Sequence, residues 1–355
     1  MKKVFLYAYD RQNLGDDLFV HTITKRYPEV KFYIWSGKEN RRTFASLPNL
    51  KLVDSNSCFV RVLQKVRASL VPRFRGWLEA RCDAVVYIGG SIFIEYPSWP
   101  QICAWWEHEA KNRPFYILGA NFGPWHTEAY RQKMKAVFLK CRDVCFRDKY
   151  SHELFHDVET VRQAPDILLS YPMPQIPVKR KQIFVSVINC AQRDDLSAMD
   201  AQYVTNMAKL LGGYLQDGYD LVLASFCKEE GDEAGIGKIL AAMDCGDHPR
   251  IRKLCYDGSN AAQMTASIAE SEFVIATRFH AVILAMNAGR PVLPILYSDK
   301  MRHVLHDLEF QGTVFDLRDP AQWYPVDPET ASIAVDEAKQ RAQEQFRMLD
   351  NCLLG

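Results

Sequence analysis

The chain has 355 residues, 48% of them apolar and 25% charged, with a formal net charge of +1. That length suits two domains of about 150 residues each, and the near-neutral charge gives no global case for a nucleic-acid partner. No apolar run approaches the roughly 20 residues that a membrane span requires.

The start carries Lys2 and Lys3, but the apolar stretch behind them is too short for a signal peptide, and residues 4–9 read as a first strand. A helix is expected from about residue 16 to residue 26. Strands are expected at 31–35 and 51–53, then at 84–88, ending in Gly89-Gly90-Ser91. Further strands at 114–118 and 143–147 end in Gly119-Ala120-Asn121 and in Asp148. Strands separated by helical patterns imply a parallel sheet.

Residues 171–181 contain Pro172, Pro174 and Pro177 and read as a linker. A second series follows, with strands at 183–188, 220–225, 251–254, 273–276 and 291–296, and helices at 202–216 and 262–270. Residues 332–353 read as one long terminal helix. The expected division is an N-terminal βα domain over 1–170, a linker over 171–182, a C-terminal βα domain over 183–330 and a helix over 331–355. The fold class is therefore α/β: two Rossmann-like βα domains facing an interdomain cleft, a GT-B-like arrangement with a C-terminal helix.

The ten cysteines include no CxxC pair. Cys141 and Cys145 are four apart, but no further ligands accompany them, so no metal site is expected. Buried thiols of a reducing compartment point to a cytoplasmic protein.

The most informative stretch is Arg278-Phe279-His280-Ala281, which follows the apolar run 273–276 and precedes a helix-like run. In open α/β sheets ligands sit outside the carboxyl ends of strands. Arg offers a fixed fork for carboxylate or phosphate, and His is suited to proton transfer near neutral pH. Two residues apart in an extended chain, Arg278 and His280 would point the same way.

Other strand ends add candidates. Asn13, Gly15, Asp16 and Asp17 open the first helix, and the two Asp residues read either as helix caps or as contacts to sugar hydroxyls or a catalytic proton. Gly89, Gly90, Ser91 and Asn121 could line the cleft. Arg147 beside Asp148 reads as a local ion pair or a ligand contact, and Arg193 as a solvated residue or a second anion clamp. Ser298 and Lys300 in Tyr297-Ser298-Asp299-Lys300 supply a hydroxyl and a cation after the strand at 291–296. Residues 57–82 interleave Arg61, Lys65, Arg67, Arg73, Arg75 and Arg81 with apolar side chains. They read as a solvated helix packed by its apolar face or as a segment touching an anionic membrane surface.

In order, Asn13-Leu14-Gly15-Asp16-Asp17, Gly89-Gly90-Ser91, Gly119-Ala120-Asn121-Phe122-Gly123-Pro124, Arg147-Asp148, Ala164-Pro165-Asp166, Arg278-Phe279-His280-Ala281 and Tyr297-Ser298-Asp299-Lys300 resemble the polysaccharide pyruvyl transferases over residues 4–305. The resemblance implies phosphoenolpyruvate as co-substrate, with no cofactor. It implies transfer of a pyruvyl group as a ketal onto a sugar of a cell-surface polysaccharide, capsule or exopolysaccharide, or of a lipid-linked precursor, with phosphate released. It implies a donor side in the domain over 183–330 and an acceptor side in the domain over 1–170, and it assigns donor binding to Arg278, Phe279 and His280, with Arg147 or Arg193 as an upstream Arg. His280 would protonate the enol carbon, and Asp16 or Asp17 could accept a hydroxyl proton. The expected place is the cytoplasm or the inner face of the membrane. The alternatives are a GT-B glycosyltransferase or sugar-nucleotide enzyme and a non-catalytic glycan-binding member. The second half shows no acidic residue placed for both ribose hydroxyls, and the intact Arg278 and His280 argue against loss of catalysis. Oligomeric state is not readable from these residues.

Overall fold

The computed structural model describes residues 1–245, 248–319, 321–326 and 333–355. The expected start of the terminal helix at Ser332 and the expected boundary at 330/331 lie outside the described residues. The chain divides into two compact units. Unit 1 comprises residues 1–10, 16–167 and 341–355, and unit 2 comprises residues 11–15 and 168–340.

Unit 1 holds seven parallel strands: β1 (Lys3–Tyr7), β2 (Lys31–Ser36), β3 (Leu50–Asp54), β4 (Ala84–Ile88), β5 (Phe115–Ala120), β6 (Asp143–Phe146) and β7 (Val161–Gln163). Their order is β3-β2-β1-β4-β5-β6-β7. Direction of travel therefore reverses between β1 and β4, which pair in the register Val4 with Ala84 through Tyr7 with Tyr87. The central strands are apolar on both faces because helices cover both, as all-parallel sheets require. Behind β4 and β5 the core is aromatic, with Phe93, Trp106, Phe122, Phe138, Phe146 and Phe155 buried together.

Unit 2 holds six parallel strands: β8 (Lys179–Ser186), β9 (Asp220–Ser225), β10 (Ile251–Cys255), β11 (Ser271–Ala276), β12 (Val292–Leu296) and β13 (Phe315–Asp316). The order is β10-β9-β8-β11-β12-β13. Its reversal lies between β8 and β11, so the crevice outside Ser186 and Ala276 is where a ligand of such a sheet binds. The Pro-containing stretch ahead of β8 is tied down by Asn287, whose Nδ2 donates to the carbonyls of Leu168 and Tyr171, each at 2.7 Å.

The long terminal helix expected over 332–353 is interrupted. Helix Ile333–Arg341 is followed by a 3-10 stretch, Ala342–Phe346, and then by helix Arg347–Leu353. The tighter winding buries Gln345, whose Oε1 accepts from the Gly119 N–H at 3.0 Å and whose Nε2 donates to Ala164 and Pro165 carbonyls. A side chain that satisfies three buried backbone groups outweighs the helix hydrogen bonds lost there.

Candidate active site

Helix Phe279–Asn287 starts two residues after β11. Through Met286 each of its residues is buried except His280, because apolar side chains surround it on every face. His280 is therefore the side chain by which this buried helix reaches the surface at its N-terminal turn. Arg278 is the N-cap residue, held extended, and its N–H donates to Ser186 Oγ at 3.1 Å across the strand reversal.

Arg278 is extended but His280 is already helical, so the period of two expected for an extended chain does not apply across the pair. The Arg278 guanidinium runs into the protein, where Nε donates to Asp232 Oδ2 at 3.0 Å and Nη2 to Asp232 Oδ1. Its Nη1 donates to Glu230 Oε2 at 2.6 Å. Asp232 also accepts the N–H groups of Phe226 and Cys227 at 2.9 and 3.0 Å.

Glu230 joins the cluster together. Its carboxylate takes Arg278, Arg193 Nη2, and Asn13 Nδ2 at 3.3 Å. Burial pushes the Glu230 carboxyl up, but Arg278 and Arg193 outweigh it and hold it down at about 2. Burial likewise opposes the charge on Arg278, and Asp232 and Glu230 overcome it, so the guanidinium titrates well above its ordinary range. Burial alone raises the Asp232 carboxyl against those same donors. A bidentate guanidinium and two peptide N–H groups on its oxygens favour the ionised pair.

Tyr297, at the carboxyl end of β12, sits against this cluster. The Arg193 guanidinium lies 5.2 Å and the Lys300 ammonium 5.6 Å from its ring centroid. Burial raises its phenol, but Lys300, Arg193 and Arg278 together outweigh burial and bring it below its ordinary value. Next to it, Ser298 precedes helix Asp299–Asp307 with no side-chain capping bond, and its Oγ is buried without a hydrogen-bond partner. Arg193 Nε is in the same condition. Such atoms are rare in a folded interior and point to a ligand group.

The loop of residues 11–15 belongs to this unit and not with the strand it follows. Leu14 N–H donates to Phe226 O at 3.1 Å, and Asn13 bridges to Cys227. Asn13 Oδ1 accepts the Gly15 N–H at 3.1 Å at the start of helix Leu14–Arg26, so Asn13 takes the helix-start role expected of the aspartates. Gly15 lies against the His280 ring, with no room for a β-carbon. Asn13 and Gly15, expected on the acceptor side, thus stand among the donor-side candidates. Asp16 is half-buried and Asp17 buried, both in the first turn of that helix in unit 1. Phe279 is buried, edge-on to His280 at 5.3 Å between ring centroids, and acts as packing for the imidazole.

Unit 1 gathers the remaining candidates at the carboxyl ends of β4, β5 and β6. Arg147 is buried, with Nη1 on Asp166 Oδ2 at 3.0 Å and Nη2 on Asn121 Oδ1 at 2.7 Å. Ser91 Oγ donates to the same Asn121 oxygen at 3.1 Å, and the guanidinium covers Gly90. Gly89 is packed under Ile92 as a turn. Asp148, offered by sequence as the partner of Arg147, instead caps helix Lys149–Glu153 through the Ser151 N–H and hydroxyl at 2.8 and 3.0 Å. Of the two candidates for an upstream arginine, Arg193 shares the Glu230 carboxylate with Arg278, and Arg147 is held by Asp166 and Asn121 within unit 1.

Glu230, Asp232, Tyr297 and Asp166 were not singled out as site residues. Glu230 and Asp232 lie in the charged loop 228–232, and Tyr297 and Asp166 lie in Tyr297-Ser298-Asp299-Lys300 and Ala164-Pro165-Asp166. Among the described residues no group of His, Cys, Asp and Glu could hold a metal ion.

A family model described as polysaccharide pyruvyl transferase matches residues 13–299. The chain is 25% identical over 299 residues to the amylovoran biosynthesis protein AmsJ of Erwinia amylovora, covering 76% of this chain and 71% of that one. Among solved structures, UDP-GlcNAc 2-epimerase of Methanocaldococcus jannaschii aligns with 99% of this chain and 100% of its own, at a TM-score of 0.56 and 8% identity. Anabaena Alr3699/HepE in complex with UDP-glucose aligns with 100% and 94%, at a TM-score of 0.53 and 13% identity. At these identities the structural likenesses show the shared GT-B-like α/β fold alone.

Proposed function

The chain belongs to the polysaccharide pyruvyl transferase family, a family of transferases in polysaccharide biosynthesis, and from that premise we propose that it moves the pyruvyl group of phosphoenolpyruvate onto a sugar as a ketal. The observation that carries this reading is the convergence of Arg193, Arg278 and Lys300 on Tyr297 at the carboxyl edge of the second sheet. Arg193, Arg278 and Lys300 stand with Glu230 and Asp232 beside two helix N-termini, whose N–H groups favour an anion. A small substrate with both a carboxylate and a phosphate fits cations and helix N-termini of that kind. Glu230 and Asp232 fix the guanidinium of Arg278, while Arg193 Nε and Ser298 Oγ supply donor capacity that no protein group uses.

His280 delivers a proton to the methylene carbon C3, which becomes a methyl group and leaves C2 cationic. A first sugar hydroxyl adds to C2 and loses its proton. The bond from C2 to the phosphate oxygen then breaks, phosphate leaves, and a second hydroxyl of the same sugar closes the ketal. One hydroxyl proton replaces the proton spent on C3 and the other leaves with phosphate. Asp16, next in sequence to Gly15, is the carboxylate assigned to the first hydroxyl proton, since Asp17 is buried. The acceptor is a sugar of a cell-surface polysaccharide or of its lipid-linked precursor. The chain is proposed to act in the cytoplasm.

The test is phosphate release from phosphoenolpyruvate against a panel of free and lipid-linked glycosides. The product should be heavier than the acceptor by pyruvic acid less one water. His280→Asn should lose turnover and keep its melting temperature. Silence across the panel, with thermal stabilisation by a sugar nucleotide and none by phosphoenolpyruvate, would replace this reading with a sugar-nucleotide enzyme.

A further inference from the structure

We propose that the helical hairpin spanning residues 57–82 of unit 1 docks the protein on an anionic lipid surface. In helix Cys58–Val66, Phe59, Val62, Leu63 and Val66 form one apolar arc, with Arg61, Gln64 and Lys65 opposite. A helix of a globular protein buries such an arc against the core. Here the arc faces out. Phe59 and Val62 are each 57% exposed and Val66 is 71% exposed, while the buried residue of the helix is Val60 on the margin of the arc. The second helix, Leu70–Glu79, continues the patch. Phe74 lies edge-on to Phe59 at 5.2 Å and stacks on Trp77 at 6.0 Å, and Trp77 is 50% exposed. Arg81 lies over the Trp77 ring at 3.4 Å.

The charge around this patch selects its occupant. Arg61, Lys65, Arg67, Arg73 and Arg81 are exposed, and the acid of the segment, Glu79, is buried beneath them. This is a local concentration of positive charge in a chain whose net charge is +1. A second copy meeting the same patch about a two-fold axis would set these cations against themselves. Aromatic rings flanked by arginine and lysine instead match the boundary between headgroups and acyl chains, with anionic headgroups as counter-charge. Among the described residues no helix is long and apolar enough to cross a membrane, so the contact is peripheral. The inference rests on this surface alone and stands apart from the pyruvyl-transfer reading.

The experiment is co-sedimentation of the full chain with phosphatidylcholine vesicles, with and without phosphatidylglycerol. The wild type should pellet with the mixed vesicles, less so as salt rises, and stay in solution with phosphatidylcholine alone. Phe59→Ser with Val66→Ser, and separately Arg61→Glu with Lys65→Glu, should each lower vesicle partition by at least about tenfold. These side chains are exposed, so both variants should melt with the wild type, and that measurement accompanies the binding curves. Wild-type levels of pelleting by both variants, or no pelleting of the wild type with mixed vesicles, overturns the proposal. A concentration-dependent dimer that Val66→Ser dissolves would overturn it too, in favour of a second copy.

Discussion

The imidazole of His280 rests directly on the backbone of Gly15, and a β-carbon built at position 15 would overlap the ring at Nδ1. Both residues belong to unit 2, because Asn13 and Leu14 tie the preceding loop to Cys227 and Phe226. Gly15 is helical and needs no unusual dihedral angles, so its role is to leave space. That β-carbon would also lie 2.7 Å from His280 Cβ, so rotation of the imidazole alone does not clear it and the two backbones must part. The expectation for Gly15→Ala is a fall in phosphate release of at least about 10²-fold together with a lowered melting temperature. Activity within a factor of a few of wild type would show that the imidazole has latitude the mechanism does not allow.

Arg278 carries structure as well as binding. Removing its charge by Arg278→Met leaves Asp232, which is wholly buried, and Glu230 without their main counter-charge. Breaking such a buried pair costs about 3–5 kcal/mol. Arg278→Lys should cost less but still lose the fork that grips both carboxylates. Urea unfolding should therefore rank wild type above Arg278→Lys above Arg278→Met. Adding Asp232→Asn to Arg278→Met should recover part of the loss, because it removes the stranded charge. If the double variant is less stable than Arg278→Met by the full effect of Asp232→Asn alone, the two residues are not coupled.

How far this could be read from sequence depends on the range of the interaction. The two parallel sheets followed from apolar runs and turn residues, both local signals. β7 and β13 did not, since three residues and two residues carry no periodicity. Arg278 and His280 stood out because they follow a buried strand directly. Glu230 and Asp232 were invisible because burial of a charged loop comes from tertiary packing of helix Asp232–Ala242 beneath the end of β9. Arg147 misled in the same way. Its sequence neighbour Asp148 is a helix cap, and its carboxylate partner is Asp166, which the chain brings back only after β7. Asn13 and Gly15 follow β1 in the chain, and the ties of Leu14 to Phe226 and of Asn13 to Cys227 bring their loop to unit 2.

The unit 1 network gives a steric prediction. A β-carbon at position 90 would lie 2.7 Å from Arg147 Nη1, and that guanidinium is held by Asp166 and Asn121. It cannot swing aside without leaving a buried carboxylate unpaired. Gly90→Ala should thus lower stability by about 1–3 kcal/mol in urea unfolding. Gly89→Ala, whose nearest neighbour is the Ile92 methyl at 3.1 Å, should cost less. A reversed order would mean that the guanidinium is not fixed as described.

The last prediction concerns pH. Glu79 and Glu109 are both buried in unit 1, and the Tyr7 hydroxyl donates to Glu79. Burial first, and the Glu79 carboxylate second, raise Glu109 to about 7, with Arg75 opposing. The folded pKa lies above the ordinary 4.5, so the native state keeps a proton that the unfolded chain releases. The stabilisation is full below about pH 4.5 and is lost as pH rises to about 7, by up to roughly 3 kcal/mol. His21 works in the opposite sense, since burial lowers its pKa and favours the neutral ring as pH rises. The wild-type profile alone is therefore not diagnostic, and the comparison with Glu109→Gln is. That variant keeps a hydrogen-bonding side chain without the titration. Its stability relative to wild type in urea should climb steadily from pH 5 to pH 7.5. A constant difference across that range would show that Glu109 does not carry the proton.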